Sequence, residues 1–282
     1  MRAFIRHVTE YRYPAPAWDS FNELRLQPTQ DERQSVSNFS LVVTPEAHVE
    51  VRTDYFGTIV HHVEVPERHT TLRLEATSLV FTSPDSPPPR VTRATLTSFL
   101  RHPSHEHLVE FVSPSPRTTL SADPGEAFGW RPTSQDAELA GELSELTTHL
   151  HRRFSYTPGA TRVDTPLEAF ARTGAGVCQD YAHAMIAVCR SRGIPARYVS
   201  GYVHAGEDFV GAAATHAWVE CFLPPRWVGF DPTNDVLVGE AHIKIGHGRD
   251  YGDVPPVRGV LRGGGQAALE VDVRVRREGA EQ

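Results

Sequence analysis

Three residue types in this chain could together perform nucleophilic chemistry: a cysteine, a histidine and an aspartate. Cys178 follows the small-residue run Gly174-Ala-Gly-Val and opens the segment Cys178-Gln-Asp-Tyr-Ala-His-Ala-Met-Ile-Ala-Val-Cys-Arg-Ser-Arg-Gly193. Tyr181, Ala182, Met185, Ile186 and Cys189 recur at i, i+3, i+4 steps, the signature of a helix with one apolar stripe. Gly193 suits the left-handed position past a helix end, and Pro195 prevents continuation. Cys178 therefore falls in the first turn, where unpaired N–H groups and the helix dipole favour an anion. Such a setting promotes the thiolate, the nucleophilic form. Cysteine also serves as a small buried apolar residue, so the helix alone leaves both roles open.

The partners come from a hairpin. Thr215 to Leu223 and Arg226 to Asp231 alternate as strands joined at Pro224-Pro225. A turn centred on that dipeptide pairs Trp218 with Asp231 and puts His216, Trp218, Glu220 and Asp231 on one face. His216 and Asp231 are then diagonal neighbours, about 7–8 Å apart at Cα, within reach of a carboxylate–imidazole hydrogen bond. The expected form is a carboxylate on Nδ1, leaving Nε2 to take the thiol proton. A cysteine on a helix N-terminus beside a histidine and aspartate on an antiparallel sheet suits acyl transfer. The Cys178 N–H is the nearest oxyanion donor, with Trp218 or Tyr198 as candidates for a second. Gln179 and Asp180 flank the nucleophile, and Asp180 is expected to cap the helix. Cys189 and Cys221 are expected to fill core.

The 282 residues can form two modest domains, or one core with an appendage. With 39% hydrophobic and 22% charged residues, a packed core is expected and wholesale disorder is not. The net charge of -7 lacks the basic excess of a nucleic-acid binder. Arg274, Arg276 and Arg277 read as a solvated strand face. Three cysteines make no disulfide framework, since Cys178 and Cys189 lie roughly 16 Å apart along one helix. Free thiols fit a reducing compartment. The N-terminus interrupts its apolar run with charge, unlike a signal peptide, and no run approaches the ~20 residues of a membrane helix. A cytoplasmic protein without nucleic-acid or membrane partners is expected.

Period-2 alternation dominates up to about residue 112. Strands are expected from Phe4 to a break at Pro14 and Pro16, then over Asn22–Pro28, Ser37–Thr44, His48–Asp54, Thr58–Val65 and Thr70–Phe81, with Tyr55-Phe-Gly57 as a hairpin turn. This argues an antiparallel sandwich or sheet domain. Ser83 to Arg90 is a stiff proline-rich link. His102, His105 and His107 lack the spacing of a metal site and read as surface histidines. His61 and His62, adjacent on a strand, point to opposite faces. No metal and no cofactor is expected. From Ser134 the period becomes helical, with Leu139, Leu143, Leu146 and Leu150 in one stripe and Ser134 or Asp136 as cap. Thr165-Pro-Leu-Glu168 reads as a capping box opening a short helix. The last strand, Ala267 to Arg277, reads as an edge. The expected organisation is α+β: residues 1–120 a β-rich domain, and 121–282 a domain with the catalytic helix on an antiparallel sheet and a C-terminal strand.

Taken as an ordered set, Gly176-Val-Cys178-Gln-Asp-Tyr-Ala, Arg192-Gly-Ile-Pro-Ala-Arg-Tyr-Val-Ser-Gly-Tyr202, His216-Ala-Trp-Val-Glu and Trp227-Val-Gly-Phe-Asp231-Pro-Thr resemble the transglutaminase-like superfamily. Tyr11-Arg-Tyr, Asp54-Tyr-Phe-Gly, Leu72 to Val80 and Gly248-Arg-Asp-Tyr-Gly-Asp-Val-Pro-Pro resemble its bacterial members with an N-terminal β domain. The resemblance implies a papain-like α+β core with Cys178 as nucleophile, His216 as base and Asp231 as orienter. Arg249, Asp250 and Tyr251 lie in a loop expected to line the cleft. The activity implied is cysteine-dependent acyl transfer on an amide or isopeptide of a peptide or protein. Hydrolysis is favoured over amine transfer, as no calcium-loop pattern is seen. The alternatives are a protein-glutamine transglutaminase and a non-catalytic peptide-binding module. The resemblance also suggests a link with an ATP-dependent peptide-forming system; a homo-oligomer is a further expectation.

Overall fold

The computed structural model describes residues 1–132, 138–204, 210–211 and 214–278. The caps expected at Ser134 or Asp136 lie outside these residues. The first part of the chain forms β1 (Arg2–Leu24), β2 (Gln34–Thr44), β3 (His48–Thr53), β4 (Ile59–Val65) and β5 (His69–Thr82). There follow α1 (Arg93–Leu100), α2 (Pro124–Ala127), α3 (Leu139–Arg153), β6 (Ser155–Tyr156), α4 (Leu167–Thr173), β7 (Ala175–Gly176) and α5 (Cys178–Ser191). The remainder is β8 (Ala196–Val203), β9 (His216–Leu223), β10 (Arg226–Asp231), β11 (Val236–Leu237), β12 (His242–Gly248), β13 (Val257–Gly263) and β14 (Ala268–Arg277).

The amino-terminal strands form one antiparallel sheet in the order β2-β5-β1-β4-β3. β13 and β14 also pair with β1, so the carboxy-terminal strands complete the amino-terminal sheet. β1 is a single strand, not the two expected on either side of Pro14 and Pro16. Its prolines fall where it changes partner, between Arg12 opposite Ala268 of β14 and Ala17 opposite Gly263 of β13. Proline, lacking an N–H, is tolerated at such an interruption. β14 pairs with β1 alone and is an edge, as the charged alternation suggests.

The second sheet runs β11-β10-β9-β8-β12. α5 packs on β8 and β9 through Ala217, Val219, Cys221, Ala196 and Tyr198. The sequence pattern predicts an amphipathic helix, but α5 is buried on all sides from Gln179 to Arg190. Val91, Leu96 and Leu108 belong to the same core as α3 and α5, so the chain joins this core well before residue 121. Cys189 and Cys221 meet within it, 3.7 Å apart at sulfur, as free thiols. The stripe Leu139, Leu143, Leu146, Leu150 of α3 is buried as its period requires. The capping box at α4 does not form: Thr165 Oγ1 accepts from Arg162 N, and Glu168 accepts from Ser121.

Burying a guanidinium requires an acceptor for nearly every N–H. Arg190, near the end of α5, is 5% exposed and donates to the carbonyls of Phe111, Ala196 and Arg249 and to the hydroxyls of Ser115 and Thr118. Burial pulls its pKa down to about 10, so it remains charged at neutral pH. This one side chain ties α5 to β8, to the 111–118 segment and to the loop after β12. Arg190→Met should therefore cost at least about 3 kcal/mol, because several buried acceptors lose their donor. Urea unfolding of the variant should show a lower midpoint with an unchanged slope.

Candidate active site

The β9–β10 turn has the register expected from Pro224-Pro225: Leu223 pairs with Arg226, and Val219 with Phe230. The last pair leaves Asp231 at the strand end, on the face that carries His216. Asp231 is wholly buried and His216 is 1% exposed. A carboxylate removed from water must be compensated by donors. Oδ2 accepts from His216 Nε2 at 2.8 Å, Asn234 Nδ2 at 2.8 Å and His242 Nε2 at 3.2 Å. Oδ1 accepts the backbone N–H groups of Thr233 and Asn234, at 2.9 and 3.2 Å. α3 braces the same turn, His151 Nδ1 reaching the Thr233 carbonyl at 2.9 Å and Thr148 Oγ1 the Asp235 carboxylate at 2.7 Å.

The imidazole is turned the other way round from the sequence expectation. Its Nε2, not Nδ1, faces Asp231, and Nδ1 is buried without a hydrogen-bond partner among the described residues. Strand geometry decides this: His216 opens β9 and Asp231 ends β10, so the ring reaches its diagonal neighbour with its far nitrogen. The near nitrogen is left for Cys178, which bears on the charge of His216. Burial opposes the imidazolium, but the Asp231 charge, its hydrogen bond and Cys178 outweigh that and raise the His216 pKa to about 10. Burial also opposes the Asp231 carboxylate, yet His216 and His242 hold it well below the usual carboxylate range.

Cys178 is half-buried at the first residue of α5. Asp180 fixes that helix start: its Oδ2 accepts Val177 N at 2.8 Å and Thr161 Oγ1 at 2.5 Å. β7 delivers the cysteine and pairs in parallel with β6, setting Tyr156 opposite Gly176. Gly211 lies between Tyr156 and His216: a Cβ there would stand 2.9 Å from His216 Nδ1 and 3.4 Å from the Tyr156 hydroxyl. At φ +86° this position also favours glycine.

The remaining sequence candidates separate. Tyr198 lies on the α5 side of the sheet, beside His183 and Tyr251. Burial and the nearness of Cys178 drive its pKa well above the ordinary phenol value. Gln179 donates to the Val163 carbonyl at 3.3 Å. Tyr251 donates its N–H to His183 Nε2, and its ring faces Tyr198. Trp218 is on the opposite face from α5, packed with Val199 and Val238 and edge-on to His242. It is a support behind the histidines and does not line the cleft. Arg249 turns to Asp253, with two N–O distances of 2.9 Å, and is not part of the constellation. Asp250 is buried, accepting from Gly252 N and Arg117 N.

Sequence reasoning missed Asn234, His242 and Tyr156. His242 comes from β12, with β9 and β8 between it and β10 in the sheet, so no local spacing could announce it. Asn234 was legible in principle, because an Asp-Pro-Thr-Asn run favours side-chain-to-backbone turns. His216, Asp231 and His242 also bring three potential metal-ligand atoms within 4.8 Å. However, His242 Nδ1 accepts Gly239 N–H, which leaves the proton on Nε2 as a donor to Asp231. These contacts are hydrogen bonds to one oxygen and do not form an open ligand set. In an NMR titration His216 should stay an imidazolium until the pH climbs through about 10. In Asp231→Asn the two largest contributions that oppose burial are lost and only Cys178 still favours the imidazolium, so the midpoint should fall well below that of the unaltered protein.

The transglutaminase-like superfamily model matches residues 131–232, and that of the bacterial transglutaminase-like N-terminal region matches residues 4–81. An uncharacterized protein of Mycobacterium leprae is 35% identical over 98% of this chain and 99% of its own length. A protein-glutamine gamma-glutamyltransferase of Pseudomonas aeruginosa is 41% identical over 96 residues, 30% of this chain and 14% of that protein. The fold of a candidate cysteine protease from Cytophaga hutchinsonii superposes with a TM-score of 0.80 over 100% of this chain and 92% of that one, at 22% identity. The match of both family models in their order, with the near full-length relative, places this chain in the transglutaminase-like superfamily, among the members that carry the bacterial N-terminal region.

Proposed function

We propose that the protein is a cysteine-dependent acyl-transfer enzyme acting on an amide or isopeptide bond of a peptide or protein, and that it hydrolyses that bond. The observation that carries this reading is His216: anchored through Nε2 on a buried, fivefold-hydrogen-bonded Asp231, with Nδ1 free on the Cys178 side. In the first step the Cys178 sulfur attacks the carbonyl carbon, the C–N bond breaks, and His216 gives its proton to the departing amine. In the second step water attacks the thioester carbon, His216 takes the water proton, and the C–S bond breaks to return the thiolate beside the imidazolium, with the carboxylic acid as product. The Cys178 N–H, at a helix start and free of an intrahelical partner, supports the oxyanion. The Tyr156 hydroxyl, which borders Gly211 as His216 Nδ1 does and whose pKa is raised by burial and by Cys178, is the better-placed second donor, in place of Trp218.

The Pseudomonas aeruginosa relative is named for glutamyl transfer, which supports the amine-transfer alternative. Hydrolysis is preferred because water is always at hand. A glutamine peptide should release ammonia at a rate that added primary amine does not raise, with the peptide acid as product. Amine incorporation displacing the acid would establish the transferase instead. The intact constellation argues against a binding module that has lost chemistry. Iodoacetamide near neutral pH should label Cys178 and spare the buried Cys189 and Cys221, and His216→Ala should slow that labelling by on the order of 100-fold. An undiminished rate in His216→Ala would sink the proposal. His242→Gln, which alters a donor to Asp231, should lower kcat roughly 10-fold with KM little changed.

The three free thiols support a reducing compartment, and no described helix is long and apolar enough to cross a membrane. A peptide or protein is the expected partner.

A further inference from the structure

The cleft beside Cys178 has a cation that the acyl-transfer chemistry does not use. Arg117 sits in the 114–119 segment, whose shape is fixed from beneath: Ser115 and Thr118 bond to the buried Arg190, and the Arg117 N–H donates to Asp250 at 3.2 Å. From this fixed base the side chain runs to the Val163 carbonyl and the Tyr251 ring. Its guanidinium lies over the Tyr251 ring, 5.3 Å from the centroid, and Nη1 donates to the Val163 carbonyl. That same carbonyl accepts Nε2 of Gln179, the residue after the nucleophile, at 3.3 Å. Arg117 and Gln179, the neighbour of Cys178, thus share one acceptor, and the Tyr251 ring meets both the Arg117 guanidinium and the buried Tyr198 ring.

The charge of this guanidinium is poorly spent within the protein. Among the described residues its side chain meets a neutral carbonyl and an aromatic face and has no carboxylate partner. Asp250 is near, but its oxygens are engaged by the N–H groups of Gly252 and Arg117 and by Ser115. A guanidinium has five N–H donors in a planar fork that matches a carboxylate. Stacking on Tyr251 restricts the fork, so less freedom is lost when an anion binds. The positive charge is felt at Tyr198, the residue that also senses Cys178. An extended peptide advances about 3.3–3.6 Å per residue, so a group one or two residues from an amide held at Cys178 can reach it.

We propose that Arg117 is a specificity-determining residue that receives a carboxylate on the substrate, one or two residues from the amide attacked by Cys178. The carboxylate belongs either to an acidic side chain or to a free peptide C-terminus. The inference rests on the cysteine-nucleophile reading above and adds the class of substrate: a peptide that is anionic beside the bond to be cut.

Iodoacetate and iodoacetamide test it, since both alkylate a thiol with loss of iodide and differ in one carboxylate. The quantity to measure is the rate of Cys178 alkylation by iodoacetate divided by that by iodoacetamide, within each variant. Arg117→Gln should lower this ratio roughly fivefold, as expected for one charge across a partly solvated cleft. Arg117→Lys should keep most of it, and circular dichroism checks that both variants are folded. A ratio unchanged in folded Arg117→Gln overturns the inference and leaves the nucleophile reading standing. Failure of iodoacetamide to select Cys178 in the unaltered protein overturns both. Protection of Cys178 from iodoacetamide by acetyl-Ala-Gln-Glu-amide and by acetyl-Ala-Gln-Ala with a free carboxylate then separates the two sources. The peptide whose protection is lost in Arg117→Gln carries the recognised group, and protection by both that is indifferent to Arg117 overturns the proposal.

Discussion

The structure depends on a carboxylate that has been taken out of water. Asp231 has no exposed surface, and such a charge is tolerated only where donors surround it. Five hydrogen bonds do so, and together they hold three pieces of chain at the end of β10: His216 from β9, His242 from β12, and the Thr233–Asn234 turn braced by α3. Satisfying Asp231 therefore assembles the site. Its charge keeps a proton on His216, and its position decides which imidazole nitrogen remains free for Cys178. Arg190 repeats the principle with the opposite sign at the far end of α5.

The amino-terminal sheet takes part in this assembly. The Gln34 side chain at the start of β2 pairs with the backbone of Lys244 on β12, donating to its carbonyl at 2.7 Å and accepting its N–H at 2.8 Å. Thr29 N also donates to that carbonyl at 2.9 Å. β12 carries His242, so the sheet that seemed a separate module holds the strand that completes the Asp231 cage. Close packing on the same face requires glycine at two points. A Cβ at Gly201 would lie 2.4 Å from the Trp218 ring, and one at Gly246 would lie 2.3 Å from Thr58 Oγ1. Trp218 can then support His216 and His242 from behind, and β12 can approach the β3–β4 turn.

Helix period, turn residues and hairpin parity were enough to set Cys178 at a helix start and His216 near Asp231. These are local properties: a strand alternates with period two, and a turn centred on Pro224-Pro225 fixes which residues face each other. The same parity could not orient the ring. Whether Nε2 or Nδ1 meets the carboxylate depends on how far apart the two residues sit along the strands, and alternation carries no such distance. Pro14 and Pro16 misled for a related reason. A proline reads as a break, yet β1 continues through it because two different strands share its edge on either side.

The sequence by itself determined where Cys178, His216 and Asp231 stand, because each lies at the end of an element whose pattern is local. Only the tertiary structure decided the rest of the site. His242 arrives from β12, with two strands between it and β10, Tyr156 is set opposite Gly176 by a two-residue parallel pairing, and the segment that carries Arg117 is held by Arg190 and Asp250. Those contacts arise where long-range strand pairing and buried charge bring distant segments together, and no spacing along the chain encodes them.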